Sequence, residues 1–286
     1  MLSCSWEGLR LPGCRKEPGN GTYEVFGPLP QGAPGNDAST LRALDAVPGR
    51  DAVRRVFDLG AGHGRTTVAL ARALPDARIT AVEIHAPFVE RIAERARESG
   101  VAECVRAECG DMAKIDVAAG SIDLIWAEGS IYVIGMERAL ALWRPWLRPG
   151  GCLAFSDFVQ WTGDLSKEAR AFWAVEYPDM ASEDAIRSRA EAAGYRVVSS
   201  FRMSREAHDA YYDPLEARVA ELAGCADSDV RKVLDGIRRE IDVVRRFPDD
   251  AGYMFFVLQR GDGRAGAAGG NGSTGGPDAV RRAESR

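Results

Sequence analysis

Residues 52 to 67 leave a chain few ways to fold. They read Ala-Val-Arg-Arg-Val-Phe-Asp58-Leu-Gly60-Ala-Gly62-His-Gly64-Arg-Thr-Thr67, followed by the helix-forming Val68-Ala-Leu-Ala-Arg-Ala-Leu74. A short Val- and Phe-containing run ending on an acid reads as a buried parallel strand, and the segment after it as a helix start. Three glycines at alternate positions stand between them, where backbone takes unusual dihedrals or lies against a ligand with no Cβ in the way. In open α/β sheets ligands bind outside the carboxyl ends of the strands, so this turn is the expected floor of a cofactor site.

A dinucleotide fingerprint would be G-x-G-x-x-G, its third glycine allowing close helix–strand packing. Here that position is Arg65, and the pattern is Asp58-x-Gly60-x-Gly62-x-Gly64. A second predicted strand, Arg78-Ile-Thr-Ala-Val-Glu83, also ends on an acid, suited to accept hydrogen bonds from ribose hydroxyls. A third is followed by Glu108-Cys-Gly110-Asp111-Met112. The acidic-x-G-x-G-x-G turn with Glu83 and Asp111 in order resembles class I S-adenosylmethionine-dependent methyltransferases. The resemblance implies S-adenosyl-L-methionine as cofactor. It implies contacts from Gln31, Asp58, Gly60, Gly62, Gly64, Glu83, Ile84, Asp111, Met112 and Ala127, with Asp111 serving the adenine amino group.

The 286-residue chain is long enough for one sizeable core with embellishments. Its 37 basic and 42 acidic residues leave a formal charge of −5 and no net electrostatic footprint for nucleic acid. No apolar stretch reaches the roughly 18 residues of a membrane span. The N-terminus lacks the basic and apolar regions of a signal peptide, so a cytoplasmic protein is expected. The six cysteines form no C-x-x-C pair and have no histidines nearby, which argues against a metal site. A chain of this kind needs no disulfide framework. Cys109 reads either as a small buried hydrophobe or as a reactive thiol.

Strand, helix and strand alternate through Ser121–Trp126, a helix over 136–147, and Cys152–Asp157. The fold class is therefore α/β, with parallel β-α-β units in a doubly wound sheet. Short helices are expected around 166–176 and 182–193, a sixth strand at Tyr195–Phe201, a helical insertion over 205–246 broken at Gly224, and a last strand at Tyr253–Leu258. The resemblance implies a Rossmann-like sheet of about seven strands, the last inserted antiparallel between the fifth and sixth. Residues 1–36 read as an irregular segment, rich in Gly and Pro. Within it, 27–36 is either a linker or a lid with Gln31 and Gly35 near the sulfonium, and Asp37, Ser39 or Thr40 can cap the helix that follows. Residues 37–260 form the expected domain. The Gly-rich tail, 261–286, is expected to be disordered.

From about Gln31 to Arg260 the chain is similar to a bacterial subgroup of small-molecule class I methyltransferases. The run Trp126-Ala-Glu128-Gly-Ser-Ile-Tyr132 carries this most specifically. The expected reaction is in-line methyl transfer to an O, N or C nucleophile of a small-molecule acceptor, by a monomer or homodimer without nucleic acid or membrane. Glu128 is the leading catalytic candidate, as a base or an orienting group, against a purely structural carboxylate; Tyr132 is the second. Asp157, Trp161, His208 and Tyr211 are substrate candidates. An amino-methylating nucleic-acid enzyme would carry Asn/Asp-Pro-Pro-aromatic where this chain has Ala127-Glu-Gly-Ser. A non-catalytic cofactor-binding regulator and a macromolecule methyltransferase stay open as alternatives.

Overall fold

The computed structural model describes residues 20–261. Among these, eight strands form one sheet: β1 Arg55–Leu59, β2 Arg78–Glu83, β3 Val105–Cys109, β4 Ile122–Glu128, β5 Leu147–Gln160, β6 Ala181–Ser182, β7 Tyr195–Arg202 and β8 Ala251–Arg260. Their order is β3-β2-β1-β4-β5-β8-β7, with the two-residue β6 paired to β5. β1 to β5 run parallel, and β8 lies antiparallel between β5 and β7. The strand order turns outward from β1 and β4, so a crevice opens above their carboxyl ends at a topological switch point. The expected doubly wound sheet with an antiparallel last strand is the one observed.

Two boundaries differ from expectation for tertiary reasons. β5 is much longer than Cys152–Asp157, because β8 pairs with it from Cys152↔Gln259 to Gln160↔Ala251. α2 (Asp37–Asp45) is capped by Asn36, in a reciprocal capping box with Ser39, rather than by Asp37, Ser39 or Thr40.

The sheet is covered on both faces. One core joins Leu59, Ile125, Leu153 and Phe256 to Trp143 and Leu140 of α5 (Met136–Trp143). The other joins Val56, Leu124, Trp126 and Phe255 to Leu44 of α2 and Leu70 of α3 (Arg65–Ala73). α4 (Ala86–Glu98) follows β2, while α6 (Lys167–Glu176) and α7 (Glu183–Ala192) lie between β5 and β7.

A third apolar cluster lies apart from the sheet. α1 (Asn20–Phe26) brings Val25 against Tyr212 and Leu215 of α8 (Arg205–Glu221) and Leu234 and Ile237 of α9 (Ser228–Arg246). Within the segment read as irregular, Asn20–Phe26 is thus a short helix. Seven residues alone would not hold a helix in water, so its stability comes from this packing. Gly21 allows the contact: a Cβ there would meet the Asp229 carbonyl carbon at 2.7 Å. The expected disorder of the tail concerns residues that, but for Gly261, lie outside the described ones. No described helix is long and apolar enough to cross a membrane.

Gly21→Leu should therefore detach α1 while sparing the sheet. Limited proteolysis should show faster cleavage within 20–36, with the main unfolding transition little changed. Unaltered protection of that segment would contradict the packing account.

Candidate active site

The glycine turn shapes the floor of a cavity of about 310 Å³ above β1, β2 and β4. Gly60, Gly62 and Gly64 all take positive φ, at 72°, 52° and 79°. They differ in function within the turn. A Cβ on Gly60 would meet Ser130 Cβ at 2.5 Å, so this glycine admits the β4 loop. A Cβ on Gly64 would meet Ile92 Cγ1 at 3.0 Å. Gly64 serves the packing of α4 rather than the cavity, which corrects its reading as a direct contact. Gly60 and Gly62 do line the cavity, as do Gln31, Glu83, Ile84, Asp111 and Met112.

Glu83 ends β2 beneath the turn. Its Oε2 accepts from the Gly62 amide at 3.0 Å, and its Oε1 from the Ile84 and His85 amides at 2.9 and 3.1 Å. This fixes the carboxylate at the cavity wall. Asp111 stands at the far end, with Oδ1 accepting from the Ala113 amide at 2.9 Å and Oδ2 3.0 Å from Lys114 Nζ. Partial burial works against its charge, but those donors hold its pKa below the ordinary value.

Two expected contacts are placed elsewhere. Ala127 is fully buried in the sheet core, because strand alternation turns it away from the cavity. Asp58 is also buried and does not line the cavity; its Oδ2 accepts from Thr67 Oγ1 at 2.6 Å. Burial pushes its pKa up to about 7, and the nearby carboxylates of Glu128 and Glu83 add to the rise.

Glu128 is the most connected side chain of the site. Its Oε2 accepts from Thr40 Oγ1 at 3.0 Å, Thr66 Oγ1 at 3.1 Å and Trp126 Nε1 at 3.2 Å, and its Oε1 pairs with Arg65. Its side chain is 5% exposed, that of Arg65 18%. A Cβ on Gly35 would collide with the same carboxylate. The acid therefore ties β4 to α2, to the start of α3 and to the loop before α2. With donors on both oxygens it serves as a strut between these segments, while it also borders the cavity; of the two roles weighed for it, these partners favour the structural one.

Residues 20–36 cross the cavity as a strap. Thr22, Tyr23, Phe26, Gln31, Gly32 and Ala33 line it. The strap is held by His63 Nε2 donating to the Phe26 carbonyl at 3.0 Å, by Arg95 donating to the Pro30 carbonyl at 3.1 Å, and by the Gly35 amide donating to the Ala207 carbonyl at 2.9 Å. His63 stacks against Phe88 at 4.5 Å, and burial lowers its pKa, so the ring is neutral at physiological pH.

The substrate candidates separate into two groups. Trp161 and His208 pack against each other over Gly252. Both His208 nitrogens face backbone, Nδ1 at 2.9 Å from the Ser204 carbonyl and Nε2 accepting from the Tyr253 amide at 2.9 Å. Neither residue lines the main cavity; both border a separate one of about 200 Å³. They stand at a junction between α8 and β8, away from the cavity above the glycine turn. Asp157, within β5, instead stands opposite Gly129, which opens the loop that carries the catalytic candidate Tyr132, while Tyr211 is buried in the cluster of α1, α8 and α9. Tyr177, Tyr253 and Glu240 are neighbours that spacing did not reveal, since three separate elements carry them. Cys109 is disulfide-bonded, so it is neither the free thiol nor the plain hydrophobe expected.

Residues 56–151 match a family described as a methyltransferase domain. The chain is 30% identical over 143 residues to 27-O-demethylrifamycin SV methyltransferase of Amycolatopsis mediterranei, covering 47% of this chain and 51% of that protein. It is 29% identical over 119 residues to malonyl-[acyl-carrier protein] O-methyltransferase of Xylella fastidiosa, covering 41% and 39%. The chain thus spans about half or less of these relatives' length. The fold is shared with a S-adenosylmethionine-dependent methyltransferase of Geobacter sulfurreducens solved with S-adenosyl-L-homocysteine (TM-score 0.73, 18% identity, 85% of this chain and 99% of that one). It is also shared with the [4+2]-cyclase SpnF (TM-score 0.69, 20% identity, 88% and 98%).

Two outcomes check this geometry. Glu128→Gln leaves Arg65 only the more exposed Asp37 as counter-charge and removes a charged acceptor from three further donors, which should cost roughly 1.5–3 kcal/mol in urea denaturation; stability within 0.5 kcal/mol of wild type would contradict the strut. Asp58 keeps its proton up to about pH 7 when folded, against an ordinary 3.8. The folded state then binds more protons in that window. Its contribution to stability is complete below the unfolded value and is lost as pH rises through about 7. Asp58→Asn should flatten that decline; an unchanged slope would contradict the assignment.

Proposed function

We propose that the protein, whose residues 56–151 match a family described as a methyltransferase domain, transfers a methyl group from S-adenosyl-L-methionine to a small-molecule acceptor. One observation carries the reading. A single cavity runs from Asp111 and Met112, past Glu83 and the side-chain-free glycine turn, to Glu128, Gly129 and Ser130. Its size falls in the range of small-molecule sites, and its polar groups suit a nucleoside with an amino-acid tail.

In this reading Asp111 and Met112 take the adenine, and Glu83 takes the ribose hydroxyls through the carboxylate that the Gly62, Ile84 and His85 amides hold in place. The amino-acid end lies along Gly60–Gly62 and Gln31, under the strap. The bound cofactor supplies an activated methyl on a sulfonium, so the protein has to orient and exclude water rather than generate the electrophile. Glu128 serves by holding α2, the strap and the glycine turn in register. Acceptor handling falls to the groups beside Gly129, with Tyr132 and Asp157 foremost. The acidic overall balance supports a small molecule over nucleic acid. The reading takes the protein as a monomer or a homodimer. The reading places the protein in the cytoplasm, where the methyl donor is made.

A ligand that binds only the folded state raises its stability by RT ln(1 + [L]/Kd). S-adenosyl-L-homocysteine should raise Tm and NAD should not. Glu83→Ala should weaken that binding by about 1.5–3 kcal/mol, as for a charge-assisted hydrogen bond, measured by calorimetry. A shift with NAD alone, or unchanged affinity in a folded Glu83→Ala protein, would overturn the proposal.

A further inference from the structure

Beyond the cavity, the strand ends carry a group of aromatic and acidic residues that the cofactor reading does not use. Tyr253 Cε1 lies 3.9 Å from the Cβ position of Gly129, which itself lines the cavity. Tyr132 follows three residues on, half exposed at 50%, with its ring 6.1 Å from Tyr177. The Tyr177 hydroxyl donates to the Asp157 carboxylate, 2.8 and 2.9 Å from its two oxygens. Phe158 sits between Tyr177 and Tyr253, at 6.5 and 5.7 Å. On the cap, Tyr211 packs on Tyr212 at 5.0 Å, and the Tyr212 hydroxyl donates to Glu240 Oε1 at 2.9 Å. The register Glu128↔Ser156 sets Asp157 opposite Gly129, so Asp157 and Tyr253 adjoin the end of the cavity where β4 delivers its loop.

The cation beside the cap residues, Arg245, lies 6.0 Å from the Tyr212 ring and is already paired with Asp209, Asp213 and Glu216. Burial pushes Asp157 up to about 6 and raises Glu240, and the potentials of both reach Tyr132 and Tyr253. The guanidinium that eases Asp157, Arg189, is paired with Glu137 at 3.1 Å. Tyr211 is 8% exposed, yet its hydroxyl makes no hydrogen bond among the described residues and is not sealed from solvent. Buried carboxylates without a full counter-charge, faced by tyrosine rings, form an environment that lowers the energy of a cation.

Resting on the methyl-transfer reading, we propose that the acceptor is an amine, held between the rings of Tyr132, Tyr177, Tyr211 and Tyr253 and the carboxylates of Asp157 and Glu240. Methyl transfer to a neutral amine moves positive charge from sulfur to nitrogen. The nitrogen lone pair forms the new N–C bond, the C–S pair stays on sulfur, and the ammonium formed releases one proton to Asp157. A negative potential on the acceptor side favours that displacement of charge. The same potential disfavours phenolate or carboxylate nucleophiles, which would add a negative charge beside two carboxylates. This narrows the O, N or C nucleophile of the general reaction to nitrogen.

The test titrates the full chain, saturated with S-adenosyl-L-homocysteine, with choline, benzyltrimethylammonium, and 3,3-dimethylbutanol as the neutral carbon isostere of choline. An ammonium probe should bind at least roughly tenfold tighter than the isostere, as expected for a desolvated cation on aromatic faces. Glu240→Gln and Tyr211→Leu should each reduce that binding about tenfold without changing affinity for S-adenosyl-L-homocysteine. Tyr211→Phe keeps the ring and should keep the binding. In turnover, labelled methyl should appear on primary or secondary amines and not on matched alcohols or phenols. Equal binding of 3,3-dimethylbutanol, no binding of either ammonium, or preferential labelling of phenols would overturn the amine assignment while methyl transfer stands. Failure to bind S-adenosyl-L-homocysteine at all would remove both.

Discussion

One buried carboxylate holds the site together. Glu128 leaves β4 as the strand ends and meets three neutral donors and one guanidinium, drawn from α2, α3 and its own strand. An acid this enclosed persists only because those partners replace its water. The consequence is geometric. The glycine turn reaches the acid through Arg65 and Thr66, α2 through Thr40, and the strap through Gly35, whose missing side chain makes room for the carboxylate. Three segments distant in sequence are thereby set around one cavity, and the loop that follows Glu128 is aimed at its open end.

The division of labour among carboxylates follows from what each one meets. Glu83 is held by three backbone amides, and its position is set by main chain alone. Asp58 has one hydroxyl donor and little else, so burial dominates and it keeps a proton far above the ordinary range. Asp157 and Glu240 lie between these cases, each with a tyrosine hydroxyl in place of a full counter-charge. Residues of one chemical type thus serve as strut, ligand clamp and source of negative potential within one crevice.

Much of this was legible in the sequence, and the pattern of success has a physical basis. The glycine turn, the acids at the strand ends and the sheet topology are local or repeat with strand and helix periods, so spacing carries them. The strap helix was not legible, since Asn20–Phe26 has no periodicity of its own and is stabilised by α8 and α9 across nearly the whole chain length. Glu128 stood out in the sequence as an acid directly after β4, but spacing alone left a base or orienting group open beside a structural carboxylate. Its neighbours Thr40 and Arg65 carry no sequence mark that they point at it. His208 and Trp161 sit on elements that approach the site, yet their contacts face Gly252 and the junction with β8. Ala127 and Gly64 were misplaced by one step of strand or helix phase, the error that motif reasoning makes when a backbone's facing is unknown.

A crystal structure with S-adenosyl-L-homocysteine tests the account most directly. It predicts the ribose on Glu83, adenine at Asp111 and Met112, the sulfur beside Gly129 facing Tyr132 and Tyr253, and Glu128 still bound to Arg65 and Thr40. A ligand bound outside this cavity, or a Glu128 carboxylate released from Arg65 and turned toward the sulfur, would contradict it.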